Sequence, residues 1–201
     1  MEMVKLVIMQ AAARSKRGEV TKVMFIDIGK AHLYAPIEGE VYVELPPERA
    51  QPRKCAKLIY TLYGMRTAAS SWEKEYSGTL EAAGFRPGKA STCTFWHPER
   101  DAKGIVHGDD FIMEGKEEDL RWTQGVLEAK YIVKMRGLMG LDRGDAKVVD
   151  VLNRIIEWKD DELWYEADPR HAEKMLRDMG MDSCNASAVP GAKTDGPEGG
   201  E

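Results

Sequence analysis

Three aspartates stand where an ionised carboxylate is costly. Asp27 comes near the end of the apolar run Val23-Met24-Phe25-Ile26-Asp27-Ile28, and Asp109-Asp110 lie between two apolar stretches, Gly104 to His107 and Phe111-Ile112-Met113. A carboxylate at the margin of a buried strand must be paired, hydrogen-bonded or bound to a cation. Adjacent aspartates repel each other, and a divalent ion relieves both; all-oxygen ligation favours Mg²⁺ or Mn²⁺. Two such ions about 4 Å apart activate an attacking oxygen and stabilise a leaving one. That is the chemistry of nucleotidyl transfer. On these residues alone the blander readings carry more weight: Gly108-Asp109-Asp110 as a solvated hairpin tip, and Asp27 bonded to a neighbouring backbone amide.

Elements must then bring together sites 82 positions apart (109 − 27 = 82). The run from Val23 to Ile28 predicts a buried strand, and Val41, Val43 and Leu45, alternating with Tyr42 and Glu44, predict a second one closed by Pro46-Pro47. Glu48 to Lys57 reads as a loop. Ala68, Trp72, Tyr76 and Leu80 recur every four positions within Thr67 to Ala83, and Gly84 stops that helix. Strands are expected at Thr92 to Trp96 and Gly104 to His107, then a tight turn holding both acidic residues, then a strand from Phe111. Glu117-Glu118-Asp119 open a helix running to about Lys130. Val148 to Trp158 reads as one arm of a hairpin, Lys159-Asp160-Asp161 as its turn and Leu163-Trp164-Tyr165 as its other arm. Asp168-Pro169 caps a last helix with Ala172, Met175, Leu176 and Met179 on one stripe and Gly180 at its end. Met3 to Ala13 predicts an N-terminal helix burying Val4, Val7, Ile8 and Ala11.

Several of these segments resemble copia-type retrotransposon reverse transcriptases. Phe25-Ile26-Asp27-Ile28-Gly29-Lys30-Ala31-His32-Leu33 looks like the family's first catalytic motif, and Glu40 to Pro47 is similar to its "VYMEQPP" stretch. Leu62-Tyr63-Gly64-Met65-Arg66-Thr67-Ala68 with Trp72 resembles "LYGLKQAPRAW", Ala83-Gly84-Phe85 resembles "LGF", and His107-Gly108-Asp109-Asp110 falls where the family has "YVDD". Leu152 to Trp158 is similar to the region around "FLGIE". Ala167 to Gly180 resembles the helix beyond it, and Val189-Pro190-Gly191 the "TP" exit.

The resemblance implies an α+β reverse-transcriptase palm, an antiparallel sheet with helices packed on one face, followed by a small thumb-like hairpin and helix. Its expected divisions are a palm at 1–147, a primer-grip hairpin and start of thumb at 148–182, and a flexible tail at 183–201. Asp27, Asp109 and Asp110 would be the catalytic carboxylates holding two Mg²⁺ or Mn²⁺ ions, with the Ile28 carbonyl as a further ligand. His32, Gly64 and Arg66 would meet nucleotide or primer. Lys57 and Lys74, with Arg66, are candidates for phosphate contact, although solvated surface charge is the plainer reading. The implied partners are an RNA or DNA template with its primer, deoxynucleoside triphosphates and the remaining parts of a polyprotein. The family's fingers subdomain should precede the first helix, yet about two dozen residues stand before Asp27, so an N-terminally truncated form is expected. Two departures stand out. His32 replaces a sugar-stacking aromatic residue, and His107-Gly108 replaces an aromatic and an apolar residue, which is expected to loosen the turn.

Composition bounds the alternatives. The 201 residues, 43% hydrophobic, suffice for one core and a small appendage, and a net charge of −5 lacks the basic excess of many nucleic-acid binders. Three scattered cysteines suggest neither a disulfide framework nor a zinc site. The N-terminal apolar run has Glu2 before it and Arg14, Lys16 and Arg17 after it, the reverse of a secretory signal, and is too short to span a bilayer; no membrane association and an intracellular location are expected. The readings that compete with an RNA-directed DNA polymerase are a catalytically inactive retroelement remnant and a Cys-His hydrolase using Cys93 with His97 or His107. The second needs a geometry that the sequence does not signal. The five tryptophans read mostly as core.

Overall fold

The computed structural model describes residues 2–159, 162–167, 169–181 and 183–184. In chain order the elements are α1 (Glu2–Lys16), β1 (Lys22–Ile28), β2 (Tyr42–Glu44), β3 (Cys55–Lys57), α2 (Ala68–Ala82), β4 (Arg86–Pro87), β5 (Thr94–Trp96), β6 (Ala102–His107), β7 (Asp110–Gly115), α3 (Glu117–Glu128), β8 (Val133–Met139), β9 (Val148–Val151), β10 (Arg154–Lys159), β11 (Glu162–Ala167) and α4 (Pro169–Asp178). The chain divides into two compact units, residues 1–166 and 167–201. The fold is mixed α/β with antiparallel sheets and four described helices.

The first unit is built on a six-stranded sheet in the order β4-β5-β6-β7-β1-β8. β1 is central, and Val23 to Ile26 and Ile28 are buried. Successive strand residues face opposite sides of a sheet, so a run this apolar needs cover on both. Met24, Ile26 and Ile28 join the core formed with Trp72, Tyr76 and Leu80 of α2 and Leu120 and Leu127 of α3. Val23 and Phe25 join the opposite core, with Val4, Val7, Ile8 and Ala11 of α1 and Val149, Val151, Ile156 and Trp158 of β9 and β10. The expectation of helices on one face is therefore corrected: α2 and α3 cover one side, α1 and the small sheet β11-β10-β9 the other. Burying each of the larger α1 side chains contributes roughly 1.5–3 kcal/mol, enough to hold a helix with little intrinsic amphipathic pattern. Arg14 adds a polar tie from α1 to Asp101 and to the fully buried Glu114 of β7.

Three further expectations change. Part of the expected loop from Glu48 to Lys57 is a strand, because β3 pairs with β2 in the register Tyr42↔Lys57. β8, for which no strand was expected, pairs with β1 along its other edge. The expected single arm from Val148 to Trp158 is two strands, β9 and β10, folded back at Leu152 and Asn153, whose φ values are +53° and +56°. Both central residues at positive φ make the type of two-residue turn that matches strand twist. The further pairing of β10 beside β11 agrees with the expected hairpin, whose turn residues Asp160 and Asp161 lie outside the described residues.

In the second unit, α4 starts at Pro169, a residue whose fixed φ suits a first helical turn. The Met181 N–H donates to the Leu176 carbonyl (2.8 Å) and the Gly180 N–H to Arg177 (3.0 Å), with Gly180 at φ +67° closing the helix. The expected cap Asp168, the exit Val189-Pro190-Gly191 and the tail beyond Cys184 lie outside the described residues. No described helix is long and apolar enough to cross a membrane.

Candidate functional site

The two acidic sites meet through one strand pair. β1 and β7 run antiparallel with Asp27 directly opposite Asp110. One step further the Ile28 N–H donates to the Asp109 carbonyl (2.9 Å), so the end of β1 is fastened to the acidic turn itself. β6 and β7 are joined by the two-residue connection Gly108-Asp109, with His107 opposite Asp110. The expected turn with two carboxylates is thus a turn carrying Asp109 and a strand that begins at Asp110.

That hairpin requires a positive φ at its first central residue, and Gly108 supplies +64° without the strain a side chain would bring. The Trp72 indole N–H donates to the Gly108 carbonyl (2.7 Å). Gly108 thus sits in a conformation natural to glycine, with its carbonyl held from α2.

Like charges directly opposite across a strand pair are destabilising. The Asp110 carboxyl is pushed up to about 6, first by burial and then by the charge of Asp109, with the opposite Asp27 adding a smaller share; Arg136 and His107 pull the other way. Arg136 of β8 reaches Asp27, guanidinium nitrogen to Oδ1 at 3.3 Å. The cluster thus holds more negative charge than its one described ion pair offsets, which fits a site for added cationic charge. Asp27, Asp109, Asp110 and the Ile28 carbonyl bring oxygen donors to one end of β1, although the three carboxylates do not place their oxygens all within 4.8 Å of one another.

His32 lies beyond β1 with its Nδ1 buried and unpartnered, its ring edge-on to Tyr63 (centroids 4.6 Å apart), and its carbonyl accepting from the Thr61 hydroxyl (2.6 Å). The Tyr63 hydroxyl is pushed up first by burial and then by the charge of Asp109, with Asp27 adding, so Tyr63 stands within the field of the acidic site. Gly64 has φ +88° as the third residue of a turn that the Met65 N–H closes on the Leu62 carbonyl (3.2 Å). Arg66 is exposed and has no ion pair among the described residues. Asp27, Ile28, Asp109 and Asp110 come together, with His32 and Tyr63 alongside; Gly64 and Arg66 have no described contact with the carboxylates. Lys57 pairs with Glu40 and Lys74 with Glu38, both as exposed surface ion pairs.

Sequence reasoning missed Arg136 and the roles of Tyr63 and the Trp72 indole. Arg136 carried a signal: Val133 and Met135 alternate with Lys134 and Arg136 in a strand-like pattern. The Cys-His alternative finds no support. Cys93 lies 3.9 Å from the Tyr76 hydroxyl, His97 Nδ1 accepts from the Glu99 and Arg100 N–H groups, and neither His97 nor His107 bonds Cys93 among the described residues. Trp72 and Trp158 are core as expected, whereas Trp96 and Trp164 are exposed.

Elsewhere, Glu117, Asp142 and Asp145 form the one described trio of acidic, His or Cys ligands whose donor atoms all lie within 4.8 Å of one another. The ammonium of the nearly buried Lys22 already fills it, at 2.6 Å from Glu117, 2.8 Å from Asp142 and 2.7 Å from Asp145. Burial alone would lower the Lys22 pKa, but the three carboxylates outweigh it and raise it. This cage is a structural tie between β1, α3 and the β8–β9 connection.

The profile of the family described as reverse transcriptase (RNA-dependent DNA polymerase) matches residues 1–148. The Transposon Ty1-DR1 Gag-Pol polyprotein of Saccharomyces cerevisiae is 27% identical over 139 residues, 67% of this chain and 8% of the polyprotein. The Transposon Ty1-DR4 Gag-Pol polyprotein of the same yeast is 31% identical over 136 residues, again 67% of this chain and 8% of the polyprotein. The chain thus spans 8% of the length of these curated relatives. No solved structure matches it. The chain belongs to the reverse transcriptase (RNA-dependent DNA polymerase) family and is of the copia type.

Proposed function

We propose that this chain carries a reverse-transcriptase palm and takes part in metal-dependent nucleotidyl transfer as part of a larger polyprotein. The observation that carries the reading is the strand register that sets Asp27 directly opposite Asp110, with Asp109 fastened to Ile28. In this reading residues 1–147 are the palm, and 148–182 are the primer-grip hairpin and the start of the thumb. Asp27, Asp109 and Asp110 are the residues that hold two Mg²⁺ or Mn²⁺ ions, with the Ile28 carbonyl as an added oxygen. When bound, such ions lower the pKa of a primer 3′-hydroxyl and neutralise charge on the transferring phosphoryl group. The protein's own part is positional. Trp72 fixes the Gly108 carbonyl and with it the turn, the Ile28 N–H fixes Asp109, and the antiparallel pair fixes Asp27 against Asp110. His32 and Tyr63 line the approach where the sugar of an incoming deoxynucleoside triphosphate is read. Gly64 and Arg66 belong to the exposed loop facing template and primer.

The test is primer extension on an RNA template with Mg²⁺ or Mn²⁺, comparing the chain with an Asp109→Asn, Asp110→Asn double variant. Extension by the parent that vanishes in the double variant is the expected result. No extension by a folded parent chain, alone or supplied with the upstream part of its polyprotein, sinks the reading in favour of an inactive remnant.

A further inference from the structure

We propose that Arg136 is a built-in placeholder cation, which quenches the acidic site by pairing with Asp27 and must leave Asp27 before a divalent ion binds. The inference rests on the reading above that these aspartates take divalent ions. Its geometric basis is a β-bulge. Along β1 and β8 the partners run Asp27↔Lys134 and Ile26↔Met135, and then skip to Phe25↔Gly137, so Arg136 is the extra residue. In unbroken register Arg136 would stand opposite Phe25, which belongs to the apolar layer under α1. The bulge gives that place to Gly137 and re-aims Arg136, the usual effect of one inserted residue. Lys134, directly opposite Asp27, makes no ion pair among the described residues; Arg136 is the side chain that reaches Asp27 Oδ1.

The contact is built to give way. It is a single approach at 3.3 Å, rather than the two-pronged pairing that a guanidinium makes with a carboxylate when held tightly. The Arg136 side chain is 39% exposed and has open solvent to move into, while Asp27, at 18%, stays at the strand margin. A guanidinium on Asp27 also leaves Asp109 and Asp110 without a described ion pair, whereas a compact divalent ion is shared among several oxygens. The two cations therefore compete for one carboxylate, and the divalent ion has more to gain.

Competition predicts that removing Arg136 strengthens metal binding, the reverse of what loss of a structural support would do. Mn²⁺ is titrated into the chain, the free ion is read by electron paramagnetic resonance, and the Asp109→Asn, Asp110→Asn double variant supplies the background. Arg136→Met and Arg136→Gln are each expected to bind Mn²⁺ about two- to fivefold more tightly than the parent, the range of an exposed ion pair. Arg136→Lys, which keeps the charge, should stay within about twofold of the parent. In EDTA the two neutral variants should melt below the parent and gain more from added Mn²⁺. Parent-like or weaker Mn²⁺ binding by both neutral variants overturns the proposal, as does an equal gain in Arg136→Lys. If instead the parent binds no more Mn²⁺ than the double variant, the metal-site reading itself fails and the competition falls with it.

Discussion

Replacing Asp110 by Asn removes a carboxyl that folding makes costly to ionise, and the cost can be worked through. The folded carboxyl titrates at about 6 against an ordinary 3.8, pushed up by burial and then by Asp109. At 1.36 kcal/mol per pH unit that rise is worth about 3 kcal/mol, and solvent screening of a partly exposed group reduces it to about 1.5 kcal/mol. The sign follows from proton uptake. Between pH 3.8 and about 6 the folded state holds a proton that the unfolded state has released, so stability falls as pH rises through that window. Below it both states are protonated, and above it the loss is complete. Asn has no such loss. Without divalent ions, Asp110→Asn should therefore match the parent near pH 3.5 and exceed it above pH 6.5 by about 1.5 kcal/mol, or about 3–6 °C in melting temperature for a chain of this size. Thermal unfolding followed by circular dichroism in EDTA, from pH 3.5 to 8, measures this difference, and common titrations cancel in the subtraction. Adding Mn²⁺ at pH 7.5 should stabilise the parent and leave the variant nearly unmoved. An Asn variant less stable than the parent at pH 7.5, or a gap that does not change with pH, would refute the electrostatic account.

Two other substitutions probe what positions the site. Gly108→Val restores a residue type more usual for the family, yet forces a β-branched side chain to φ +64°; it should lower stability by about 1–2 kcal/mol in urea unfolding, while Gly108→Asn, which tolerates that conformation, should lose less. Steric overlap is not the reason, since a Cβ at 108 meets no atom within 4 Å. Lys22→Met leaves the buried carboxylate of Asp145 without its partner and should cost about 3 kcal/mol at pH 7. Lys22 also lowers the carboxyls of Glu117 and Asp142, so their share is present above the ordinary carboxylate range and is lost as pH falls through the lowered values. The gap between parent and Lys22→Met should accordingly narrow in urea titrations below pH 4; a gap that widens there would refute the role of the cage.

The parts of the fold that could be read from sequence are those where burial imposes a period. β1 was visible because both its faces are covered, and α2 because Ala68, Trp72, Tyr76 and Leu80 are all buried, the last three in one core. The acidic residues were visible as charges interrupting such runs. β8 escaped because it lies at the edge of the sheet, half covered, with Lys134, Arg136 and Gly137 diluting its apolar positions, and with it went Arg136. The break between β9 and β10 was hidden for a different reason: Leu152 is a poor turn former, and nothing in Leu152-Asn153 resembles the Asn-Gly pair that usually announces a turn with two positive φ values. Sequence periodicity also reports that a strand is buried without saying by what, so helices were expected on one face where two different layers cover both.

The Lys22 cage gives β1 the character of a gauge block. In a strand apolar on both sides, a two-residue slip keeps apolar side chains on both faces, so the alternation of apolar and polar residues does not by itself fix the register. What resists sliding is polarity at its two ends: Lys22 clamped among three carboxylates, and Asp27 seated against Asp110 and tied through Ile28 to Asp109. The five residue steps from Lys22 to Asp27 measure off about 17 Å. A two-residue slip would carry Asp27 from opposite Asp110 to opposite Ile112 and dismantle the site without unfolding anything. Alignment of the carboxylates is thus set partly at the far end of the strand, where no chemistry takes place.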